Sequence, residues 1–359
     1  MTRAPARTLA FDILQLVERG GYAGDLLHAR AAALDSRDAG LAHEIVFGVL
    51  RYRAQLDYLI DHYAGRSRKL DSEIRTALRM ALYQIRHLDR VPPHAAVADS
   101  VTLVRRARKT SATGFVNAIL RRAGRDPVAW PDRATELSCP EWLLARWERA
   151  FDADAARAIA LAALEEPARY TRGDRVQDIG SQSIVPLLDL HSGQSFLDLC
   201  AAPGNKTAQA LEAGVYAVAC DLHLHRLAHL KPLTPNLVVL DGTRPLPFAR
   251  RFDRILLDAP CSGTGTLARN PEIKWRLTPA DLDDLPRRQS ALLAQARAAL
   301  APGGLLVYST CSLEAEENEA ITAAVPGALI LRTLRRVPGR DPGDGFYACV
   351  IKSGEPAND

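Results

Sequence analysis

The chain has 359 residues, 47% of them hydrophobic and 25% charged, and a net charge of +4. That balance fits a water-soluble globular protein long enough for two or three domains, and no uncharged apolar stretch approaches the length of a membrane span. Asp12, Glu18 and Arg19 interrupt the first apolar segment before a signal core could form, so the cytoplasm is the expected compartment. None of the six cysteines (Cys139, Cys200, Cys220, Cys261, Cys311 and Cys349) is at C-x-x-C spacing or beside a histidine. That pattern argues against a zinc site, and a reducing compartment argues against a disulfide framework. Cys139, Cys220 and Cys349 read as small buried hydrophobes.

The charge is uneven. Residues 1–130 carry 21 Lys and Arg against 13 Asp and Glu, whereas the remainder carries 25 against 29. A basic front half joined to a mildly acidic back half points to a polyanionic partner for the front. Leu9, Phe11, Ile13, Leu14 and Val17 recur at helical spacing until Gly20-Gly21. Similar periodicity predicts helices over 39–63, 74–86, 95–108 and 113–123, broken at Gly65, Pro92-Pro93 and Thr110-Ser111. With hardly any alternating pattern, residues 1–126 read as an all-α domain.

Basic clusters fall near the expected helix ends: Arg66-Ser67-Arg68-Lys69, Arg105-Arg106-Ala107-Arg108-Lys109 and Arg121-Arg122. Such clusters suit phosphate contacts, although cations also favour helix C-termini through the macrodipole. Two stretches, Leu41-Ala42-His43-Glu44-Ile45-Val46-Phe47-Gly48-Val49-Leu50-Arg51 and Gly114-Phe115-Val116-Asn117-Ala118-Ile119-Leu120-Arg121-Arg122, resemble NusB-like RNA-binding domains. The likeness is to the version fused to bacterial ribosomal RNA methyltransferases.

Residues 127–175 read as a helical connector: a Pro-containing loop, one helix from Pro140 and a second over 154–164. Trp142 and Trp147, beside Leu143 and Leu144, read as a packed helix face rather than a base-stacking platform. Glu165-Glu166-Pro167 ends the second helix.

Residues 176–359 alternate strands with helices, the signature of a mostly parallel α/β sheet. The first clear strand, 195–200, runs into Ala201-Ala202-Pro203-Gly204-Asn205-Lys206-Thr207 and a helix, which lets a ligand approach the backbone closely. The spacing is neither that of a P-loop nor G-x-G-x-x-G. The next strand ends at Asp221, where an acid bonds ribose hydroxyls. The third ends at Asp241, placed to accept from an adenine amine or to cap its loop. The apolar run Ile255-Leu256-Leu257 reads as a buried strand ending at Asp258 and a small-residue loop with Cys261, and Leu305-Leu306-Val307-Tyr308 runs likewise toward Cys311. An acid at one strand end is weak evidence, since Asp often caps a helix. The set formed by Asp198, Asp221, Asp241 and Asp258 is much stronger and suits S-adenosylmethionine.

Asp198-Leu199-Cys200-Ala201-Ala202-Pro203-Gly204-Asn205-Lys206-Thr207, Asp258-Ala259-Pro260-Cys261-Ser262-Gly263-Thr264-Gly265 and Tyr308-Ser309-Thr310-Cys311-Ser312 resemble the motif series of the NOP/Sun-type RNA cytosine-5 methyltransferases. Asn270-Pro271-Glu272-Ile273-Lys274-Trp275, Glu316-Glu317-Asn318 and Asp344-Gly345-Phe346-Tyr347 extend the likeness, and Val176-Gln177-Asp178-Ile179-Gly180-Ser181-Gln182-Ser183 resembles that family's lead-in segment. The branch in view is the bacterial one acting on small-subunit ribosomal RNA with a NusB-like domain in front.

The resemblance implies a Rossmann-like domain binding S-adenosylmethionine through Cys200, Ala201, Ala202, Pro203, Gly204, Asn205, Lys206, Asp221, Asp241 and Asp258. It also implies RNA, expectedly small-subunit rRNA, as partner of a monomer with no membrane attachment. It assigns to Cys311 the attack on cytosine C6 and to Cys261 product release, with Asp258 gripping the N3/N4 edge. In DNA cytosine methyltransferases the Pro-Cys cysteine is the nucleophile, so residue logic alone leaves Cys261 open for that role. Lys206 is expected at the base or a nearby phosphate. Two departures stand out. Asn205 replaces a usual Gly, and Asn is the non-Gly residue best suited to positive φ. The gap 168–175 is shorter than the family's RNA-binding insertion. The rival readings are a non-catalytic RNA-assembly factor with a vestigial methyltransferase domain, and a DNA cytosine methyltransferase.

Overall fold

The computed structural model describes residues 5–65, 69–123 and 128–353. The chain forms two compact units, Met1–Glu166 with Leu267–Arg276, and Pro167–Thr266 with Leu277–Asp359. Residues 66–68 of the first basic cluster, and the expected boundary at 126–127, lie outside the described residues.

The first unit is helical: α1 (Pro5–Val17), α2 (Ala23–Ala31), α3 (Ser36–Arg51), α4 (Arg53–Ala64), α5 (Ser72–His87), α6 (Pro93–Arg106) and α7 (Thr113–Arg122). The single helix expected over 39–63 is two, because the backbone leaves helical geometry at Tyr52 (φ −97°, ψ 16°). Helix α2 had no expectation. Only Ala23 and Leu27 of it are buried, too few for a readable stripe. The core is continuous from α1 through α7, with Ile13, Ile45, Leu59, Leu78 and Val104 almost completely buried.

The unit continues through α8 (Arg133–Glu136), α9 (Glu141–Ala150) and α10 (Ala153–Ala162). These helices therefore group with the front domain, and the break falls after Glu166 rather than after the expected 175. Trp147 is fully buried with Leu143 and Leu144, in keeping with the packed-face reading. The chain returns to this unit at Leu267–Arg276. There Glu272 accepts from the Ala23 amide (2.9 Å), Lys274 Nζ donates to Arg51 O (2.9 Å) and Trp275 Nε1 donates to Leu50 O (2.7 Å). Burial pushes Lys274 down to about 8.

The second unit is built on a seven-stranded sheet. Its strands are β1 (Ser195–Asp198), β2 (Tyr216–Asp221), β3 (Leu237–Val239), β4 (Phe252–Asp258), β5 (Leu300–Thr310), β6 (Leu329–Arg336) and β7 (Phe346–Lys352). The spatial order is β3-β2-β1-β4-β5-β7-β6. The five strands from β3 to β5 pair in parallel, and β7 and β6 add antiparallel at the far edge. Both faces of the central strands are covered: Phe196, Leu197, Ile255, Leu256, Leu257, Leu306 and Val307 are fully buried. This is why the strands read as continuous apolar runs rather than as alternation. The order reverses between β1 and β4, the crevice where open parallel sheets bind ligands. A two-strand hairpin (Thr171–Arg172 with Arg175–Val176) occupies the shortened gap.

Candidate active site

The cofactor-loop residues sit at the carboxyl end of β1. Cys200 to Gly204 lead into the helix Asn205–Leu211, with Gly204 at φ 106° as its N-cap. A Cβ on Gly204 would also lie 2.7 Å from Leu230 Cγ, so the turn needs glycine on both counts. Asn205 does not occupy a left-handed position. It is the first helical residue, and its Nδ2 donates to Val176 O at 3.1 Å, which corrects the conformational reason given for its tolerance.

Asp198, fully enclosed at the end of β1, accepts from Thr207 Oγ1 through Oδ2 (2.7 Å), while its Oδ1 is buried with no partner among the described residues. Burial pushes its carboxyl up to about 7, and the nearby Asp258 and Asp221 add to the rise against the Thr207 bond. Asp221, at the end of β2, accepts from the Ala202 amide (3.3 Å) and the His223 amide (3.0 Å), tying the second strand end to the loop of the first. Asp241 spends its carboxylate on its own loop, accepting from Thr243 N (3.0 Å) and Oγ1 (2.6 Å) beside Arg244. Of the two alternatives open for it in the sequence, the loop cap is present. Burial pushes the Cys200 thiol well above its ordinary value.

Asp258, ending β4, is held on both oxygens: Lys206 Nζ lies 2.6 Å from Oδ2, and Ser309 Oγ donates to Oδ1 at 2.8 Å. Burial, the largest single influence, lowers Lys206, but the Asp258 charge and hydrogen bond, with Cys311 and Asp198, together outweigh it and hold the ammonium above its usual value. The Phe346 ring, 5.1 Å from Nζ, packs on the same ammonium. Lys206, expected at the base or a nearby phosphate, is paired from the first turn of its helix with Asp258.

Cys261 and Cys311 come together although 50 residues separate them: their sulfurs are 3.4 Å apart. Register explains it. Asp258 of β4 pairs with Ser309 of β5, so the residues that follow enter adjacent loops. Gly265 locks those loops, donating to Cys311 O (2.9 Å) and accepting from the Gly345 amide (2.8 Å). A Cβ there would lie 2.4 Å from Gly345 O and 2.8 Å from Cys311 O. The contact with Cys311, then burial, push the Cys261 thiol well above its ordinary value. Cys139, Cys220 and Cys349 are buried as expected, and burial drives Cys139 and Cys220 up to about 12.

Ser309 and Phe346 stand inside the motifs named above with no role apparent from their spacing, and the structure puts both on the Lys206–Asp258 pair. Among the described residues no group of His, Cys, Asp or Glu could hold a metal ion, and no helix is long and apolar enough to cross a membrane.

The residues present fit S-adenosylmethionine: a glycine turn closed to any Cβ, a buried unsatisfied acceptor on Asp198, and carboxylates on three neighbouring strand ends. A parallel sheet of this order with that loop defines an S-adenosylmethionine-dependent methyltransferase domain, here carried behind a helical domain. Residues 185–332 match the family model for 16S rRNA methyltransferase RsmB/F, and residues 4–125 match the NusB family. The chain belongs to the RsmB/F family of rRNA methyltransferases. It is 31% identical to ribosomal RNA small subunit methyltransferase B of Yersinia enterocolitica over 95% of this chain and 96% of that protein. The Yersinia pestis (strain Angola) protein of the same name is 32% identical over the same shares. A crystal structure described as PH0851 shares the fold, with TM-score 0.78 and 20% identity over 98% of this chain and 99% of that one.

Proposed function

We propose that the protein transfers a methyl group to carbon 5 of a cytosine in small-subunit ribosomal RNA through a covalent Cys311–C6 adduct. The observation that carries this reading is the pair of thiols 3.4 Å apart at the ends of two adjacent parallel strands, beside Asp258. The names of the relatives support the RNA.

Cytosine C5 is a poor nucleophile, and adding a thiolate to C6 turns the ring into an enamine that reacts at C5. S-adenosylmethionine, when bound, supplies the electrophilic methyl. Cys200 to Lys206, Asp221 and Asp258 are the residues we assign to hold it, with Asp198 beneath the loop. Asp241 joins them through the loop that it caps. Two thiolates 3.4 Å apart repel, so the pair keeps a proton. The motif likeness assigns the attack to Cys311, which leaves that proton to Cys261. Once Cys311 Sγ is bonded to C6, the hydrogen-bonding contact that raises the Cys261 thiol most is gone. Cys261 then releases its proton to solvent and removes the C5 proton. The C5–C6 double bond re-forms and the Cys311–C6 bond breaks. Asp258, oriented by Lys206 and Ser309, grips the cytosine N3/N4 edge.

The base must leave its stack, which costs a few kcal/mol and less in a loop or single strand. Backbone contacts from the helical unit offset that cost. Arg106 and Lys109 are engaged with Asp12 and Asp71, whereas Arg105 and Arg121 stand with His94, Thr102 and Asn117 in a groove of about 850 Å³ whose lining also includes the apolar Val97, Val101 and Leu120. We assign this groove to the RNA backbone. The reading places a monomer in the cytoplasm.

The test is methyl transfer from labelled S-adenosylmethionine to protein-free small-subunit rRNA and to duplex DNA, with bisulfite mapping of the product. Label on RNA at a bisulfite-resistant cytosine is expected. Label on DNA, or on an RNA position other than cytosine C5, overturns the proposal. No transfer together with no S-adenosylmethionine binding favours an assembly factor.

A further inference from the structure

Glu317 has no part in the chemistry above, yet it joins the two cysteine loops. It ends a short 3-10 turn (Ala315–Glu317) after β5 and is completely buried. Its Oε1 accepts from the Ser262 amide (2.8 Å) and from Gln289 Nε2 (2.9 Å), and its Oε2 from the hydroxyls of Ser262 and Ser312. Ser262 follows Cys261 and Ser312 follows Cys311 in the chain, and their hydroxyls are also 3.0 Å apart. The Glu317 carbonyl is fixed in turn by Tyr308 OH (2.6 Å) from inside β5. Gln289 also donates to Pro260 O (2.9 Å), the residue before Cys261.

We propose that Glu317 is a positioning residue for methyl transfer: its carboxylate latches the Cys261 loop to the Cys311 loop and so fixes the spacing of the two thiols. The inference rests on the roles given to those thiols above. The two loops depend on the latch unequally. Cys311 directly follows a strand paired on both sides. Cys261 lies past the paired end of β4, in a loop tied to the Cys311 loop further on, where Thr264 Oγ1 accepts from the Leu313 amide (2.9 Å) and Gly265 N donates to Cys311 O (2.9 Å). Loss of the latch therefore displaces Cys261 more than Cys311, and release suffers more than attack. Two of the four donors, the Ser262 amide and the Gln289 side-chain amide, can only donate, while the two hydroxyls can turn. Glutamine keeps an acceptor for the first two and offers its amide hydrogens to the hydroxyls; alanine takes the shared acceptor from all four, leaving Pro260 O to Gln289 and the two hydroxyls to each other.

The test uses the full chain with small-subunit rRNA and labelled S-adenosylmethionine. For Glu317→Ala, kcat is expected to fall at least about tenfold, equivalent to roughly 1.4 kcal/mol of barrier. KM for S-adenosylmethionine should stay within about twofold, while RNA-linked protein accumulates on a denaturing gel. Glu317→Gln should restore kcat to within a few-fold of the parent. Unchanged kcat in Glu317→Ala, or loss of kcat with no adduct, overturns the inference. Equal loss in Glu317→Gln does so as well. If Glu317→Ala does not fold, Ser262→Ala and Ser312→Ala each remove one arm of the latch and must each lower kcat and raise the adduct. Cys261→Ala on the same gel separates the two claims. An adduct there with none in the Glu317 or serine variants overturns the latch alone. No adduct there removes the reading on which both rest.

Discussion

Lys206 Nζ lies 2.6 Å from Asp258 Oδ2, so the acid that ends the central strand has its counter-ion within the protein. Ser309 Oγ takes the other oxygen. The carboxylate is thereby fixed in orientation at the place where two neighbouring strand ends supply thiols.

If that pair works as a unit, its members are non-additive. Lys206→Met and Asp258→Asn should each lower kcat at least about tenfold. The double variant should fall short of the summed loss by roughly 1–3 kcal/mol of coupling. Additive losses in a methyl-transfer assay would show that the contact does not matter to turnover.

Asp198 sets a pH dependence. Its carboxyl stands at about 7 against an ordinary 3.8. A carboxyl raised in the folded state contributes most below its unfolded value and loses that contribution as pH rises through the folded value. Asp198→Asn has no such loss. Relative to this variant, the parent should lose on the order of a few kcal/mol between about pH 4 and pH 8. Urea unfolding of both proteins across that range measures it, and a constant difference contradicts the assignment.

The helical unit's groove makes a salt-dependent prediction. Replacing both Arg105 and Arg121 with Ala should weaken RNA binding and flatten the plot of log affinity against log salt by about one to two units. S-adenosylmethionine affinity should not change. An unaltered slope would remove the groove from the RNA path.

The central strands were legible because burial on both faces leaves plain apolar runs that stop at acids: Leu197 before Asp198, and Leu257 before Asp258. The antiparallel edge was not. Leu329, Ile330 and Leu331 of β6 are all largely exposed, so no alternation marks that strand. The cysteines and acids of the site could be read from their places after strands. The latch could not, because Ser262 and Glu317 meet across 55 residues by hydrogen bonds that leave no period in the sequence. Asn205 misled for a related reason: Gly204 beside it takes the positive φ, and the asparagine opens the helix. Helices α8 to α10 looked like a connector because α9 packs on its chain neighbours α8 and α10, while the partner of α8, helix α4, lies far back in the chain.

The two thiols at 3.4 Å carry the account, and trapping the RNA tests them directly. Cys261→Ala incubated with S-adenosylmethionine and small-subunit rRNA should give a denaturant-stable protein–RNA complex that disappears when Cys311→Ala is added. A complex that instead survives Cys311→Ala alone and vanishes with Cys261→Ala would reverse the roles and contradict the assignment of attack to Cys311.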